Sequence, residues 1–264
     1  MTVPVARSRP TGRVAWVTGA GKGIGRAVAL RLVRDGWVVA ASARTGPDLD
    51  ALVVAAGDGP GKVVPFVLDI SDAAAATHVL DAIECDCGQV DLAILNAGIH
   101  EPIDGAAFDA AIMRRLVETN LMGTVHCLEP LIVRFVDRRA GRIAVVASLA
   151  GYRGLPTASG YGATKAALIN MCEALRAELL PRGVTLSVVT PGFVRTPLTD
   201  RNPFPMPFLV DADIAARRIV DGLATGRFEI TFPRRLAYLM KLLRILPYGL
   251  FFAVTRRLRP ADGD

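Results

Sequence analysis

A tyrosine and a lysine stand four residues apart at Tyr161 and Lys165, in the run Tyr-Gly-Ala-Thr-Lys. Where that run is helical, the two side chains share a face. A free phenol ionises at about pH 10 and is a poor acid or base at neutral pH unless a nearby cation favours its phenolate. A lysine one turn away is such a cation. Thirteen residues before Tyr161, Ser148 follows the apolar run Ile143–Ala147. If that run is a strand, its C-terminal edge is where doubly wound sheets bind ligands, and a hydroxyl there can hydrogen-bond a carbonyl. Alone, a Tyr-x-x-x-Lys pair is common on surface helices and marks no site.

A second cluster could hold the partner for such chemistry. The apolar run Val14–Val17 leads into Thr18-Gly19-Ala20-Gly21-Lys22-Gly23-Ile24-Gly25 and then a helical pattern. The glycines at 19, 23 and 25 are spaced G-x-x-x-G-x-G, one residue longer than the G-x-G-x-x-G fingerprint. The physics is shared: glycine permits a tight turn and close backbone approach, and a helix N-terminus turns unpaired N–H groups and a positive dipole end toward a pyrophosphate. A dinucleotide cofactor is therefore expected. An NAD site usually carries an acid at the end of the second strand; here that strand ends Ala41-Ser42-Ala43-Arg44-Thr45, with no carboxylate before Asp48. Arg44 could fork to a 2′-phosphate with Lys22 assisting, or both could be solvated loop residues. The missing acid favours NADP(H) over NAD(H).

These groups need a scaffold. Short, almost uninterrupted apolar runs recur at Val14–Val17, Val38–Ala43, Val63–Leu68, Leu92–Leu95, Ile143–Ala147, Thr185–Val189 and Phe228–Phe232. Continuous apolarity is what strands covered on both faces look like. Helical patterns lie between them, as at Ile24–Asp35, Ala106–Arg139 and Tyr161–Leu180, several ending at a glycine such as Gly36 or Gly183. Strand and helix in alternation predict an α/β fold, a single doubly wound, Rossmann-type domain with a parallel sheet of about seven strands. No linker divides Gly12 to Pro233, so we read 1–12 as an extension, 13–233 as one catalytic domain and 234–264 as a separate tail. Length agrees: 264 residues can bury a large core. Hydrophobic residues at 52% and charged residues at 21% exclude disorder and low-complexity fibres. The four cysteines (85, 87, 127 and 172) and three histidines give no metal spacing, so reduced thiols and no metal are expected. Met1 to Gly12 contains Arg7 and Arg9 but no apolar stretch, so no secretory signal is expected.

The ordered combination resembles the short-chain dehydrogenase/reductase family in its standard-length, non-extended form, over about Arg13 to Pro233. The motifs are the Thr18–Gly25 turn, Asp69 after the third strand, Asn96-Ala97-Gly98 after the fourth, Asn120, Ser148, Tyr161 with Lys165, and Pro191-Gly192 followed by Thr196. The resemblance implies that Tyr161 is the general acid/base and that Lys165 lowers its pKa and bonds the nicotinamide ribose. Ser148 would orient the carbonyl, and Asn120 would hold a water in a proton relay. The implied cofactor contacts are Thr18, Gly19, Gly21, Lys22, Gly23, Ile24 and Gly25 in the turn, Arg44 at the second strand, and Asp69 with Ile70 at the adenine edge. Asn96, Ala97 and Gly98 would line the floor, and Pro191, Gly192, Val194 and Thr196 the carboxamide end. The expected reaction interconverts a carbonyl and an alcohol by hydride transfer. A catalytically silent dinucleotide-binding sensor on the same fold is the alternative, and an epimerase or dehydratase is less favoured because such relatives are longer. A homodimer or homotetramer is expected from the family habit.

The resemblance implies a pocket built from the loops after the fourth, fifth and sixth strands, here His100–Asp104, Leu149–Gly160 and Leu198–Val210, where His100 reads more readily as a solvated loop residue than as a pocket residue. The stretch Asn202–Val210 is apolar and stiffened by prolines at 203, 205 and 207, so it cannot be regular helix. As a lid it would favour a lipid-, isoprenoid- or steroid-like substrate; it could equally be a packed connector. The tail carries seven cations, Arg234, Arg235, Lys241, Arg244, Arg256, Arg257 and Arg259, before its first acid at Asp262, exceeding the chain's net +6. At helical spacing Leu236, Leu239, Leu243, Leu246, Leu250 and Val254 form one face, and Pro247 splits the helix. Lys241 and Arg244 make a spanning helix unfavourable, by about 2.5–3.5 kcal/mol each. The tail either lies on a membrane surface through 234–259 or packs on the domain or another subunit. The expected location is cytoplasmic, with the inner membrane surface as the attachment site. Nucleic acid is not an expected partner, because the cations are interleaved with Leu and Phe.

Overall fold

The computed structural model describes residues 12–200 and 206–256. The chain runs β1 (Val14–Thr18), α1 (Gly23–Arg34), β2 (Val38–Ala43), α2 (Gly46–Ala56), β3 (Lys62–Val67), α3 (Ala73–Asp86) and β4 (Val90–Leu95). It continues through α4 (Ala110–Leu116), α5 (Gly123–Asp137), β5 (Gly141–Val146), α6 (Ser159–Leu179) and β6 (Val184–Pro191). A two-strand pair follows, β7 (Val194–Arg195) and β8 (Val210–Asp211), then α7 (Ala212–Ala224), β9 (Glu229–Phe232), α8 (Arg234–Ile245) and α9 (Tyr248–Thr255).

Seven parallel strands form one sheet in the order β3-β2-β1-β4-β5-β6-β9. The order reverses between β1 and β4, so the loops leaving these two strands diverge and open a crevice at their C-terminal ends. Strands β1, β4, β5 and β6 are apolar on both faces because helices cover both. One apolar layer gathers Trp16, Leu80, Phe135, Ile143 and Leu168 on the side of α3, α5 and α6, and the other gathers Val17, Val28, Leu52, Ile94 and Ile219 on the side of α1, α2 and α7. Gly36 and Gly183, the expected helix-ending glycines, have φ of +82° and +81°, values that a side chain would resist.

The expected helix over Ala106–Arg139 starts later and is not uniform. Asp109 accepts hydrogen bonds from Ala111 N (2.7 Å) and Ile112 N (3.4 Å), which sets the start of α4. Between α4 and α5 a π-helical turn spans Val117–Met122, around Asn120.

The described part of the tail, 234–256, packs on the domain through α8. Pro247 separates α8 from α9, as its missing N–H and ring require. The expected apolar face is corrected: Leu236, Ala237, Met240 and Leu243 enter the α6-side core, while Leu239, Leu250 and Val254 are exposed. The i, i+4, i+7 set from Leu236 fits the concavity beside β9, and the neighbouring stripe is left outside. Leu243 is 7% exposed. Leu243→Ala is therefore expected to lower the unfolding free energy by about 2–4 kcal/mol, read by denaturant unfolding; a loss below about 0.5 kcal/mol would mean that α8 does not belong to the core.

Pairing of Val194 with Val210 draws together the ends of the Leu198–Val210 loop. Its Asn202–Pro205 part lies outside the described residues; Met206 to Leu209 are irregular, with Phe208 at φ +59°.

Candidate active site

Helix α6 presents Tyr161 and Lys165 one turn apart at its N-terminal end. Ser148 leaves the end of β5 and caps a short 3₁₀ turn, Leu149–Gly151, by accepting from Ala150 N at 3.1 Å. That turn lies flat on α6 because Gly151 has no side chain: a Cβ there would come within 2.7 Å of the Lys165 carbonyl carbon. The close approach brings the Ser148 hydroxyl into hydrogen-bonding contact with the Tyr161 phenol. Burial pushes the phenol's pKa up, and the Ser148 bond offsets part of that rise, so Tyr161 is a protonated acid at neutral pH.

Lys165 is 4% exposed. Its Nζ donates to the Val146 carbonyl at 2.9 Å and lies 5.6 Å from the Tyr161 ring centroid. Burial pushes its pKa from 10.5 down to about 8.

Asn120 is fully buried. Its Oδ1 accepts from Ile99 N at 2.7 Å, and its Nδ2 donates to the Ile99 carbonyl (2.9 Å) and to Thr164 Oγ1 (3.2 Å). The side-chain amide thus fastens the loop after β4 to α6. Gly98 lies beside it: a Cβ there would stand 3.0 Å from Asn120 Oδ1 and 3.5 Å from Lys165 Nζ.

His100 is not the solvated loop residue that its sequence context suggests. Its ring stands edge-on to Tyr161, with centroids 4.8 Å apart and planes at 73°. Its Nδ1 is buried without a hydrogen-bond partner among the described residues, and burial lowers its pKa below 6.5. Nothing in the spacing pointed to this contact; it arises because Asn120 pins the backbone at Ile99, next to it.

The crevice between β1 and β4 is framed by the glycine turn. Gly25 packs so closely on the turn that a Cβ would overlap the Gly19 carbonyl oxygen, at 2.3 Å. Thr18 Oγ1 accepts from Asn96 N (3.0 Å) and Ala97 N (3.1 Å), while Asn96 Nδ2 donates to the Thr18 and Gly19 carbonyls at 3.1 and 3.3 Å. The β1 and β4 loops are thereby locked as one floor. Thr196 reaches the other side of the turn, where a Cβ on Gly23 would lie 3.0 Å from its methyl group. At the start of α1, Lys22 makes no side-chain capping bond, so the first N–H groups of α1 face the crevice uncapped. A bare backbone cradle at a helix N-terminus fits a dinucleotide pyrophosphate. Gly19, Gly23, Gly25, Asn96, Ala97, Gly98 and Thr196 are the residues that would hold it.

The remaining sites are more dispersed. Asp69 accepts from Ser71 N (3.0 Å) and Ser71 Oγ (2.8 Å). Burial raises its pKa, but the Ser71 bonds and nearby Arg44 outweigh that and hold it below the usual range. Ile70 is buried, stands against Gly123, and its carbonyl meets His126 Nδ1 at 3.0 Å. Gly192 donates its N–H to the Phe232 carbonyl at 2.7 Å, and a Cβ there would stand 2.8 Å from Leu236 of α8. Arg44 is exposed at the end of β2 and has no ion pair among the described residues. Lys22 is paired with Asp48 at 3.1 Å, and Asp48 lies directly against Gly21. No local spacing places that carboxylate beside the glycine turn; the N-terminal turn of α2 brings it there.

Residues 13–203 match the short chain dehydrogenase family. An uncharacterised oxidoreductase of Myxococcus xanthus is 37% identical over 247 residues, 94% of this chain and 98% of that one. A 3-oxoacyl-[acyl-carrier-protein] reductase of Thermotoga maritima is 32% identical over 202 residues, 74% of this chain and 79% of its own. An alcohol dehydrogenase of Thermococcus sibiricus complexed with 5-hydroxy-NADP is similar in structure, with a TM-score of 0.74 and 25% identity over 83% of this chain and 95% of that one. With the Ser148–Tyr161–Lys165 arrangement intact, a catalytically silent binding protein finds no support. The chain belongs to the short-chain dehydrogenase family and is an oxidoreductase that acts between CH–OH and C=O with a nicotinamide dinucleotide.

Proposed function

We propose that the protein is an NADP(H)-dependent carbonyl reductase that works on hydrophobic ketones or aldehydes and, in reverse, on the matching alcohols. The observation that carries the proposal is geometric: Tyr161 stands beside Ser148 at the start of α6, with the buried Lys165 one turn on and its Nζ 5.6 Å from the Tyr161 ring. When bound, the nicotinamide dinucleotide supplies the hydride in one direction and accepts it in the other. Tyr161 delivers its phenolic proton to the carbonyl oxygen, Ser148 orients that oxygen, and the Lys165 ammonium stabilises the phenolate left behind. Asn120 holds the loop after β4, and with it the position of a proton-relaying water. Thr18 through Gly25, Asp69 with Ile70, Asn96 to Gly98, and Pro191, Gly192, Val194 and Thr196 form the cofactor contacts in this reading.

Arg44 supports the 2′-phosphate preference: it is exposed and unpaired among the described residues, and a guanidinium fork fits a phosphate. Lys22 can assist by releasing Asp48. Arg44→Ala is expected to raise KM for NADPH by about 10- to 100-fold and leave KM for NADH within about twofold. Both are measured as initial rates of cofactor oxidation with a lipophilic ketone. Equal effects on the two cofactors, or a native preference for NADH, would remove the assignment. A hydrophobic substrate is supported by Leu198 and Phe208, which expose apolar surface in the loop beside Thr196. A homodimer or homotetramer and a cytoplasmic location complete the reading. Arg257 and Arg259 lie outside the described residues, and among the described residues no helix is long and apolar enough to cross a membrane.

A further inference from the structure

The solvent side of the C-terminal helix pair carries more apolar surface than folding explains. On α8, Tyr238, Leu242 and Ile245 recur at i, i+4 and i+7, and Ile245 is 77% exposed. They form a single stripe opposite the buried Leu236–Met240–Leu243 set. On α9, Tyr248, Leu250, Phe252 and Val254 are exposed, with Tyr248 stacked on Phe252 at 5.8 Å. A contiguous apolar patch of this kind marks a contact surface. Its edges are cationic: Arg234, Arg235, Arg244 and Arg256 are exposed and have no ion pair among the described residues. Lys241 is the exception, paired with Glu229, which also accepts from the Tyr152 hydroxyl. No acid occurs between Arg234 and Arg256.

The pair is held at a fixed angle. Arg153, from the loop that joins Ser148 to Tyr161, donates to the carbonyls of Arg244 (3.4 Å) and Leu246 (3.3 Å). Its guanidinium also packs on the rings of Tyr248 (4.6 Å) and Phe251 (4.4 Å). Next to this clamp an open cavity of about 500 Å³ separates Leu155 and Pro156 from Phe251 and Phe252. The exposed face is therefore tied to, and adjoins, the loop that carries Ser148.

We propose that this face docks on an anionic lipid bilayer, with Tyr238, Leu242, Ile245, Tyr248 and Phe252 among the acyl chains and the four arginines at the headgroups. Charge decides between a bilayer and a second copy of the chain. A two-fold contact would bring the same unpaired arginines of both copies together with no acid on the face to answer them. An anionic surface answers them all, and long cationic side chains can lie along the interface with their charge in the headgroup layer. Tyrosines at the edge of such a face suit the same layer. That a lipophilic carbonyl then reaches the site from the bilayer, beside the 153–156 loop, rests on the reductase reading above; the docking does not.

The test is co-sedimentation of the full chain with vesicles of phosphatidylcholine alone and of phosphatidylcholine with phosphatidylglycerol. Wild type is expected to bind the anionic vesicles at least about tenfold more tightly than the neutral ones and to release as salt rises. Leu242→Glu and Ile245→Glu, both exposed, are each expected to weaken binding by about tenfold or more, without changing the rate on a short, water-soluble aldehyde or the oligomeric mass. Failure of wild type to bind anionic vesicles overturns the proposal. So does a fall in oligomeric mass in these variants, which would assign the face to a second copy. Because the soluble-aldehyde rate is measured separately, its absence would count against the reductase reading and leave the docking result standing.

Discussion

Tyr161→Phe is expected to lower kcat for carbonyl reduction by about 100- to 10,000-fold, the range for loss of a positioned general acid. The reason is local. The carbonyl oxygen gains negative charge as the carbon is reduced, and in the proposed reaction the phenolic O–H beside Ser148 is the acid that answers it. Phenylalanine keeps the ring and its edge contact with His100, so the packing at 4.8 Å survives. What disappears is one hydroxyl and its bond to Ser148, worth about 1 kcal/mol to stability. The variant should therefore fold, bind cofactor with near-native affinity, and fail in turnover. Retention of more than about a tenth of the wild-type rate would remove Tyr161 from the proton path, whatever the family pattern implies.

Lys165→Met is expected to lower turnover by about 100-fold or more and at the same time to raise stability at pH 7. Wild type holds an ammonium that is 4% exposed and whose observed hydrogen-bond partner is a carbonyl, the Val146 oxygen. Its pKa falls from 10.5 to about 8, a difference of roughly 3 kcal/mol between folded and unfolded chain. Losing the Val146 bond offsets about 1 kcal/mol of the gain. The sign follows from proton counting. Below pH 8 both states are charged and the full burial penalty applies. Between about 8 and 10.5 the unfolded chain still binds a proton that the folded chain has released, so wild-type stability rises with pH across that window. The methionine variant lacks that rise, and its advantage should shrink toward pH 10.5. Denaturant unfolding of both proteins at pH 7 and at pH 10 reads this directly. A wild-type stability that is flat or falling over the window, relative to the variant, would show that Lys165 does not carry the strain assigned to it.

His100 lies beside both of these groups. A neutral imidazole edge-on to the phenol adds no charge to compete with Lys165, and burial keeps it neutral at pH 7. Its neutrality leaves the Ser148 hydroxyl as the group that offsets the effect of burial on the Tyr161 phenol.

The tail shows where linear reading stops. Hydrophobic periodicity at 234–256 says that a helical pair exists and that Pro247 divides it, and both are so, with α8 amphipathic and α9 apolar all round. It does not say which stripe is inside, because Leu recurs on more than one face. The groove beside β9 accepted Leu236, Met240 and Leu243 and left Tyr238, Leu242 and Ile245 outside. Asp48 is a second case: it lies beyond the end of the second strand in the chain, yet the turn into α2 sets it against Gly21 and pairs it with Lys22.

What the amino-acid order by itself determined is whatever depends on short-range geometry: strands from unbroken apolar runs, the glycine turn from its spacing, and Tyr161 with Lys165 from a helical period. Parallel strands alternating with helices then admit few topologies, so the sheet followed as well. Only the tertiary structure decided which distant groups meet: His100 on Tyr161, Asn120 on Ile99 and Thr164, Arg153 on the corner between α8 and α9. Such contacts arise from close packing of elements far apart in the chain, and packing is set by the shape of the whole interior, which no local period encodes.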